Sequence, residues 1–192
     1  MRTCIAVLLL VALPTRAPQA QATKAPTTPA QSAETPEQIT DRFIAAMRAA
    51  DWNGMAALMH QNALKEMRQL LAGVFEAPNA GQFRQQLLGV STVQQAQALS
   101  DTAVFAALMR MSTQDADVAE LLKTAKVQVL GHVNEGADTV HVVYRMAMTI
   151  NGIPITKMDV MSLARSPVGW RSLLKGDVTA LAAGIRASMQ SQ

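Results

Sequence analysis

The dipeptide Asn151-Gly152, set between Ile150 and Ile153, constrains this chain more than any other feature. A two-residue type I′ hairpin turn needs positive φ at both central positions, and Asn-Gly meets that need at little steric cost. Residues 139–150, just before it, are rich in β-branched and long apolar side chains. The turn pairs Ile150 with Ile153, Met148 with Ile155, Met146 with Lys157, Tyr144 with Asp159, Val142 with Met161 and Val140 with Leu163. Side chains alternate between faces with a period of two. One face therefore carries Val140, Val142, Tyr144, Met146, Met148, Ile155, Met161 and Leu163, interrupted by Lys157 and Asp159. The other carries His141, Val143, Arg145, Thr156, Met158, Val160 and Ser162. Upstream, Glu135-Gly136-Ala137-Asp138 suits a Gly-X turn of type II′, which pairs Val133 with Val140, Val129 with Tyr144 and Val127 with Met146. The two turns assign the same apolar face, so residues 126–175 are expected to form an antiparallel meander.

The chain ahead of the meander divides into three stretches. Residues 1–22 have the pattern of a secretory signal: Arg2, an apolar run over residues 4–13, and Ala20-Gln21-Ala22 as a small-x-small cleavage site. The apolar run is shorter than the roughly 20 residues that span a bilayer. Pro14, Pro18 and the polar residues behind it weigh against a buried N-terminal helix. Residues 23–35 are Ala, Thr, Pro, Gln and Ser with one Lys and one Glu, too polar to offset their ordering entropy, and read as a flexible linker. Residues 36–190 are then one domain.

Cleavage would change the chemistry open to the protein. Arg2 and Arg16 leave with no acid, so the formal charge falls from +3 to +1. Cys4 is the only cysteine and leaves too, taking with it any disulfide, thiol nucleophile or cysteine metal site. It precedes the apolar run and is not placed for lipid attachment. No basic cluster with interleaved aromatics suggests nucleic acid.

Within the domain, Thr35-Pro36-Glu37-Gln38 opens a helix, with Thr as N-cap and Gln at the capping-box position. Its apolar stripe is Ile39, Phe43, Met47 and Ala50. Asp51 caps a second helix bearing Trp52, Met55, Leu58 and Met59. A third runs over 62–77, with Leu64, Met67, Leu71, Val74 and Phe75 inward. Residues 79–124 are glutamine- and alanine-rich; Phe83 with Leu87 and Val104, Phe105 with Leu108 suggest short helices in a mobile layer, with a capping box at Asp117-Val118-Ala119-Glu120. Val178, Leu181, Ile185 and Met189 predict a C-terminal amphipathic helix.

Helices first, a meander last, the stretch Asp51-Trp52-Asn53-Gly54, and Gly169-Trp170-Arg171 within residues 168–174 together resemble the nuclear transport factor 2-like superfamily (cystatin-like, SnoaL-like). The resemblance covers about residues 35–175. It implies an α+β fold in which N-terminal helices pack into a curved antiparallel meander to make a cone, here with an extra C-terminal helix. The superfamily includes isomerases, dehydratases, ligand carriers and catalytically silent modules, so the fold carries no single function. Residues 79–124 form a longer insertion than the family usually has, and no catalytic motif of the family maps onto this chain.

The sharpest candidate site is Tyr144, Lys157 and Asp159, which the derived register places on the apolar face with Met146. A carboxylate beside an ammonium and a phenol in an apolar hollow can move a proton next to a carbonyl. The alternative is a Lys–Asp pair at the mouth of the cone, the lysine stem reaching to water. Trp52 and His60 are further candidates for the lining. His132 and His141 are expected as cross-strand neighbours on the other face, but zinc needs three or four ligands and no third is visible, so no metal or cofactor is assigned. Eleven of the twelve methionines lie beyond Met1, and they suit either core filling or an adaptable pocket. Leu130, Val143, Met158 and Val160 form an apolar streak among His132, Gln128 and Arg145, which suits a homodimer interface or a covering helix.

The sequence therefore supports an exported, non-enzymatic domain that binds a small apolar molecule or a partner. A small lyase or isomerase with Asp159 as base, and a structural dimerisation module, are the alternatives. Export with cleavage after Ala22 is the first expectation to test. N-terminal sequencing of the exported protein should begin at Thr23; a protein retaining Cys4 in the cytoplasm would refute it.

Overall fold

The computed structural model describes residues 34–150, 152–176, 178, 180, 184 and 187. The signal and most of the linker lie outside the described residues, as do Asn151 and the predicted helix positions Leu181, Ile185 and Met189. Among the described residues no helix is long and apolar enough to cross a membrane. Those residues belong to one compact unit, 33–192.

Thr35 caps α1 (Pro36–Arg48) with the expected box: its hydroxyl accepts from Gln38 N–H, and the Gln38 side chain accepts from Thr35 N–H. Ile39, Phe43 and Ile44 are buried on one stripe. Ala50 falls beyond the end of α1, exposed at φ +53°, so it is not part of that stripe. Asp51 caps α2 (Trp52–Ala57) by accepting from Gly54 N–H. The predicted third helix is two, α3 (Gln61–Leu70) and α4 (Ala72–Glu76), meeting at Leu71. Leu64, Met67, Leu71 and Phe75 are inward as expected; the Val74 side chain is outside the described set.

Residues 79–124 contain α5 (Gly81–Leu88), α6 (Val93–Ala98), α7 (Asp101–Ser112) and α8 (Ala116–Thr124). The expected short helices are present, and α7 is the most deeply buried of them. Val104, Phe105, Ala106, Ala107 and Leu108 are all buried, and α7 packs against α2, α3 and α5 at the centre of the helical layer. The expected cap of α8 also moves. Asp115, two residues earlier than Asp117, accepts from the N–H groups of Asp117 and Val118.

The sheet is a four-stranded antiparallel meander, β1 (Lys126–Glu135), β2 (Thr139–Ile150), β3 (Ile153–Ser166) and β4 (Gly169–Ser172), in that spatial order. Every β2–β3 pair predicted from the turn is present, from Ile150 opposite Ile153 to Val140 opposite Leu163. Val140, Val142, Tyr144, Met161 and Leu163 are buried against the helices.

The β1–β2 connection differs from expectation in two places that offset each other. Glu135 pairs with Thr139 across three residues, Gly136 to Asp138, with Gly136 at φ +66°. The predicted two-residue turn would have paired Val133 with Val140; Val133 instead lies opposite His141 and is 62% exposed. The longer loop is held because the Asp138 carbonyl accepts from Arg165 N–H at 2.8 Å, continuing the β2–β3 ladder. A bulge then restores the register. Val129 pairs with Tyr144 and Gly131 with Val143, so Leu130 is the extra residue, and Val127 meets Met146 as predicted.

The shifted register between the loop and the bulge separates the two histidines. His132 now lies opposite Val142, on the helix-bearing face, and bonds Glu37 at the start of α1. His141 stays on the outer face, bonded to Ser162 at 2.9 Å and Glu135 at 2.6 Å. The predicted cross-strand pair is therefore absent. Among the described residues, no group of three metal-binding side chains occurs.

Gly131 sits at φ +142°, where an L side chain is strained, although a Cβ there would meet nothing within 4 Å. Gly131→Ala should therefore cost about 1–3 kcal/mol through backbone strain alone. Urea denaturation checks this, and an unchanged midpoint would show that the bulge relaxes freely.

Candidate functional site

The hollow between helices and sheet is built from three sides. The β2–β3 register aims Tyr144, Met146, Met148, Asp159 and Met161 at it, α1 supplies Phe43, Ile44 and Met47, and α7 supplies Phe105 and Met109. Its volume is about 270 Å³, near the lower end of small-molecule sites, roughly 300–1,000 Å³. Seven of its lining residues are methionine, from Met47 to Met161. Unbranched thioethers can re-pack around different shapes, so this wall is soft rather than templated.

The polar groups are gathered at one end. Tyr144 and Asp159 are opposite each other on β2 and β3, and Lys157 is two residues along the same face. Lys157 Nζ lies 3.3 Å from Asp159 Oδ2 and is half exposed. The structure adds Lys175, which the register could not reach. Its Nζ donates to the same Oδ2 at 2.7 Å and to Tyr144 Oη at 3.1 Å. Asp159 Oδ1 accepts from Val160 N–H at 2.8 Å. The two β3 and β2 candidates are thus joined through a residue from the segment after β4.

Lys175 is held by backbone bonds just before it. Leu173 N–H donates to Ser162 O at 2.8 Å, extending the β3–β4 pairing past Ser172. Ser172 exchanges two bonds with the α2–α3 junction: its N–H donates to Leu58 O and its carbonyl accepts from His60 N–H, each at 2.8 Å. After Lys175 the chain turns, with Val178 N–H donating to Lys175 O at 3.1 Å.

The electrostatics follow from this geometry. Burial by itself raises the Asp159 pKa, but the bond from Lys175, the Val160 N–H and the lysine charges outweigh it and bring the carboxyl down to about 2. Burial lowers the Lys175 pKa, yet its bonds to Asp159 and Tyr144 leave it raised above the usual lysine range. Burial raises the Tyr144 pKa, and Lys175 only partly opposes it, so the phenol is neutral at ordinary pH.

The other sequence candidates lie elsewhere. Trp52 is buried but faces a separate cleft with Arg48, Arg110 and Lys123. His60 is the N-cap of α3, its Nδ1 accepting from Asn62 N–H, and it faces a third depression with Arg171 and Val168. Neither lines the hollow. Met146 does.

Asp159→Asn tests the ion pair through its pH dependence. A carboxyl whose folded pKa is depressed stabilises the fold above its unfolded value and loses that contribution as the pH falls towards the folded value. The window runs from about pH 4 down to about pH 2 for Asp159. We expect the variant to lose about 1–2 kcal/mol at neutral pH, between the exposed and fully buried cases, and to show a flatter acid limb in that window. Equal acid limbs in chemical denaturation series would contradict the pairing.

No family model matches the chain, and no curated protein matches it. Among solved structures, the chain is similar to an NTF-2-like protein of unknown function from Shewanella oneidensis MR-1, with 12% identity, 72% of this chain and 91% of that chain covered, and a TM-score of 0.40.

Proposed function

We propose that the chain is an exported, non-enzymatic domain that holds a small, largely apolar molecule in the hollow between its helices and sheet. The observation that carries this reading is the lining itself: seven methionines with Phe43, Ile44 and Phe105 around about 270 Å³, and polar side chains grouped at one end. Such a site buries an apolar body and orients one polar tip. The alternative of a lyase or isomerase with Asp159 as base is disfavoured, because a carboxyl near pKa 2 is a weak base at neutral pH.

Association through the outer sheet face is a second component of the proposal. Leu130, Met158 and Val160 are 42%, 59% and 43% exposed, and Val143 lies opposite Val160 on the outer face. Native mass spectrometry of the purified protein should show a dimer, and Met158→Glu with Val160→Lys should return it to monomer. A monomer at all concentrations would leave the ligand site standing and remove the dimer.

Binding in the hollow can be read with methyl-labelled methionine. Titrating 1-octanol should shift the methyl signals of Met55, Met109 and Met161, which line the hollow. Met158, exposed on the opposite face, serves as the internal control. Shifts at Met158 alone, or none at all, would overturn the reading.

A further inference from the structure

We propose that the occupant of the hollow is a monoanionic amphiphile, its apolar chain among the methionines and its acidic head at Lys157 and Lys175. This rests on the reading that the hollow is a ligand site, and it adds the charge and polarity of the ligand.

The first argument is charge. Asp159 is the sole acid lining the hollow among the described residues, against two lysines, Lys157 and Lys175. The cluster therefore carries one net positive charge at the lip of an apolar space. A cationic ligand would meet two ammonium groups there. A neutral ligand would leave the excess charge for water to solvate.

The second argument is hydrogen-bond capacity. Asp159 is already engaged at both oxygens: Oδ1 by Val160 N–H, and Oδ2 by both ammonium groups. Each ammonium carries three N–H donors. Lys175 uses two, on Asp159 and Tyr144, and Lys157 uses one, on Asp159. Tyr144 Oη accepts from Lys175, and its O–H is engaged with Asp159. The cluster therefore offers a surplus of donors and little remaining acceptor capacity. An anionic head, rich in acceptor lone pairs, is its complement, and hydrogen bonds to an ionised partner are the strong ones.

The third argument is polarity along the hollow. Away from the cluster, the other polar side chain of the lining is Ser172, and its hydroxyl donates to Leu173 O at 3.1 Å. A second polar group on the ligand, deep among Phe43, Met55 and Phe105, would lack a partner. The molecule that fits has one acidic end and an otherwise apolar body. A carboxylate and a sulfate monoester share this chemistry.

Three probes with one chain and different heads test this: octanoate, 1-octanol and octylammonium, each titrated at neutral pH and read at the methionine methyls. Octanoate should bind about tenfold tighter than octanol, the size of effect expected from one charge-assisted hydrogen bond, and octylammonium should bind weakest. Lys157→Gln and Lys175→Gln should each bring octanoate towards octanol while leaving octanol unchanged. Asp159→Asn, which removes the competing carboxylate, should tighten octanoate. Equal binding of the three heads, or a preference for octylammonium, would overturn the monoanion while leaving the ligand site intact. Failure of octanol and octanoate alike to move the hollow methionines would instead overturn the ligand site. If Lys175→Gln does not fold, Lys157→Gln decides alone, since its side chain is half exposed and its loss costs little stability.

Discussion

The register between β2 and β3 is the constraint on which both core and cavity rest. With Tyr144 opposite Asp159, the period of two sends Val140, Val142, Met161 and Leu163 into the core and Met146 and Met148 along the wall of the hollow. A slip of one residue would send this whole set to the outer face and bring Arg145 and Met158 inward. A single local turn at Ile150 to Ile153 thus sets the apolar layer on which α1, α2 and α7 pack. It also fixes which polar side chains interrupt that layer.

The bulge at Leu130 shows how β1 serves that register without sharing its simplicity. The three-residue loop after Glu135 shifts β1 by one residue, and the extra residue at Leu130 shifts it back before Val129 and Val127 reach the hollow. Between the two, His132 is turned to the helix side, where it meets Glu37. The bond to His132 is the largest influence holding the Glu37 carboxyl below its usual pKa. The three-residue loop therefore links the outermost strand to the first turn of α1, at a point where the two-residue turn would have presented a solvent-facing imidazole.

What the sequence made legible follows the range of the forces involved. The β2–β3 pairing depends on one turn and strict alternation, both local, and each predicted pair is present. The β1 loop length depends on a bond from Arg165 N–H to Asp138 O, which residues 135–139 do not encode by themselves. Val104, Phe105 and Leu108 suggested the helix α7, but its central place was hidden for a different reason. A helix buried around most of its circumference, as at Val104 to Leu108, lacks the one-sided stripe that marks a surface helix. Lys175 was hidden because its place is set by β4 docking onto Leu58 and His60, more than 110 residues earlier in the chain. One signal could have pointed to it: a carboxylate on an apolar face needs more donors than the exposed Lys157 supplies.

The completed cluster also bears on what chemistry the hollow can host. Sites that transfer protons bring pKa values towards the working pH, through burial and like charges. Here the movements go the other way. Asp159 is drawn down to about 2, Lys175 is raised, and Tyr144 is raised, so each group is fixed in its usual form at neutral pH. The carboxylate is a poor base, the ammonium a poor acid, and the phenol a neutral donor. Such an arrangement gives permanent charges at fixed positions beside an apolar space, which suits recognition of a charged tip. Proton transfer would require breaking the Asp159–Lys175 pair first, so that the pairing which positions the lysine is also what keeps the carboxylate from acting as a base.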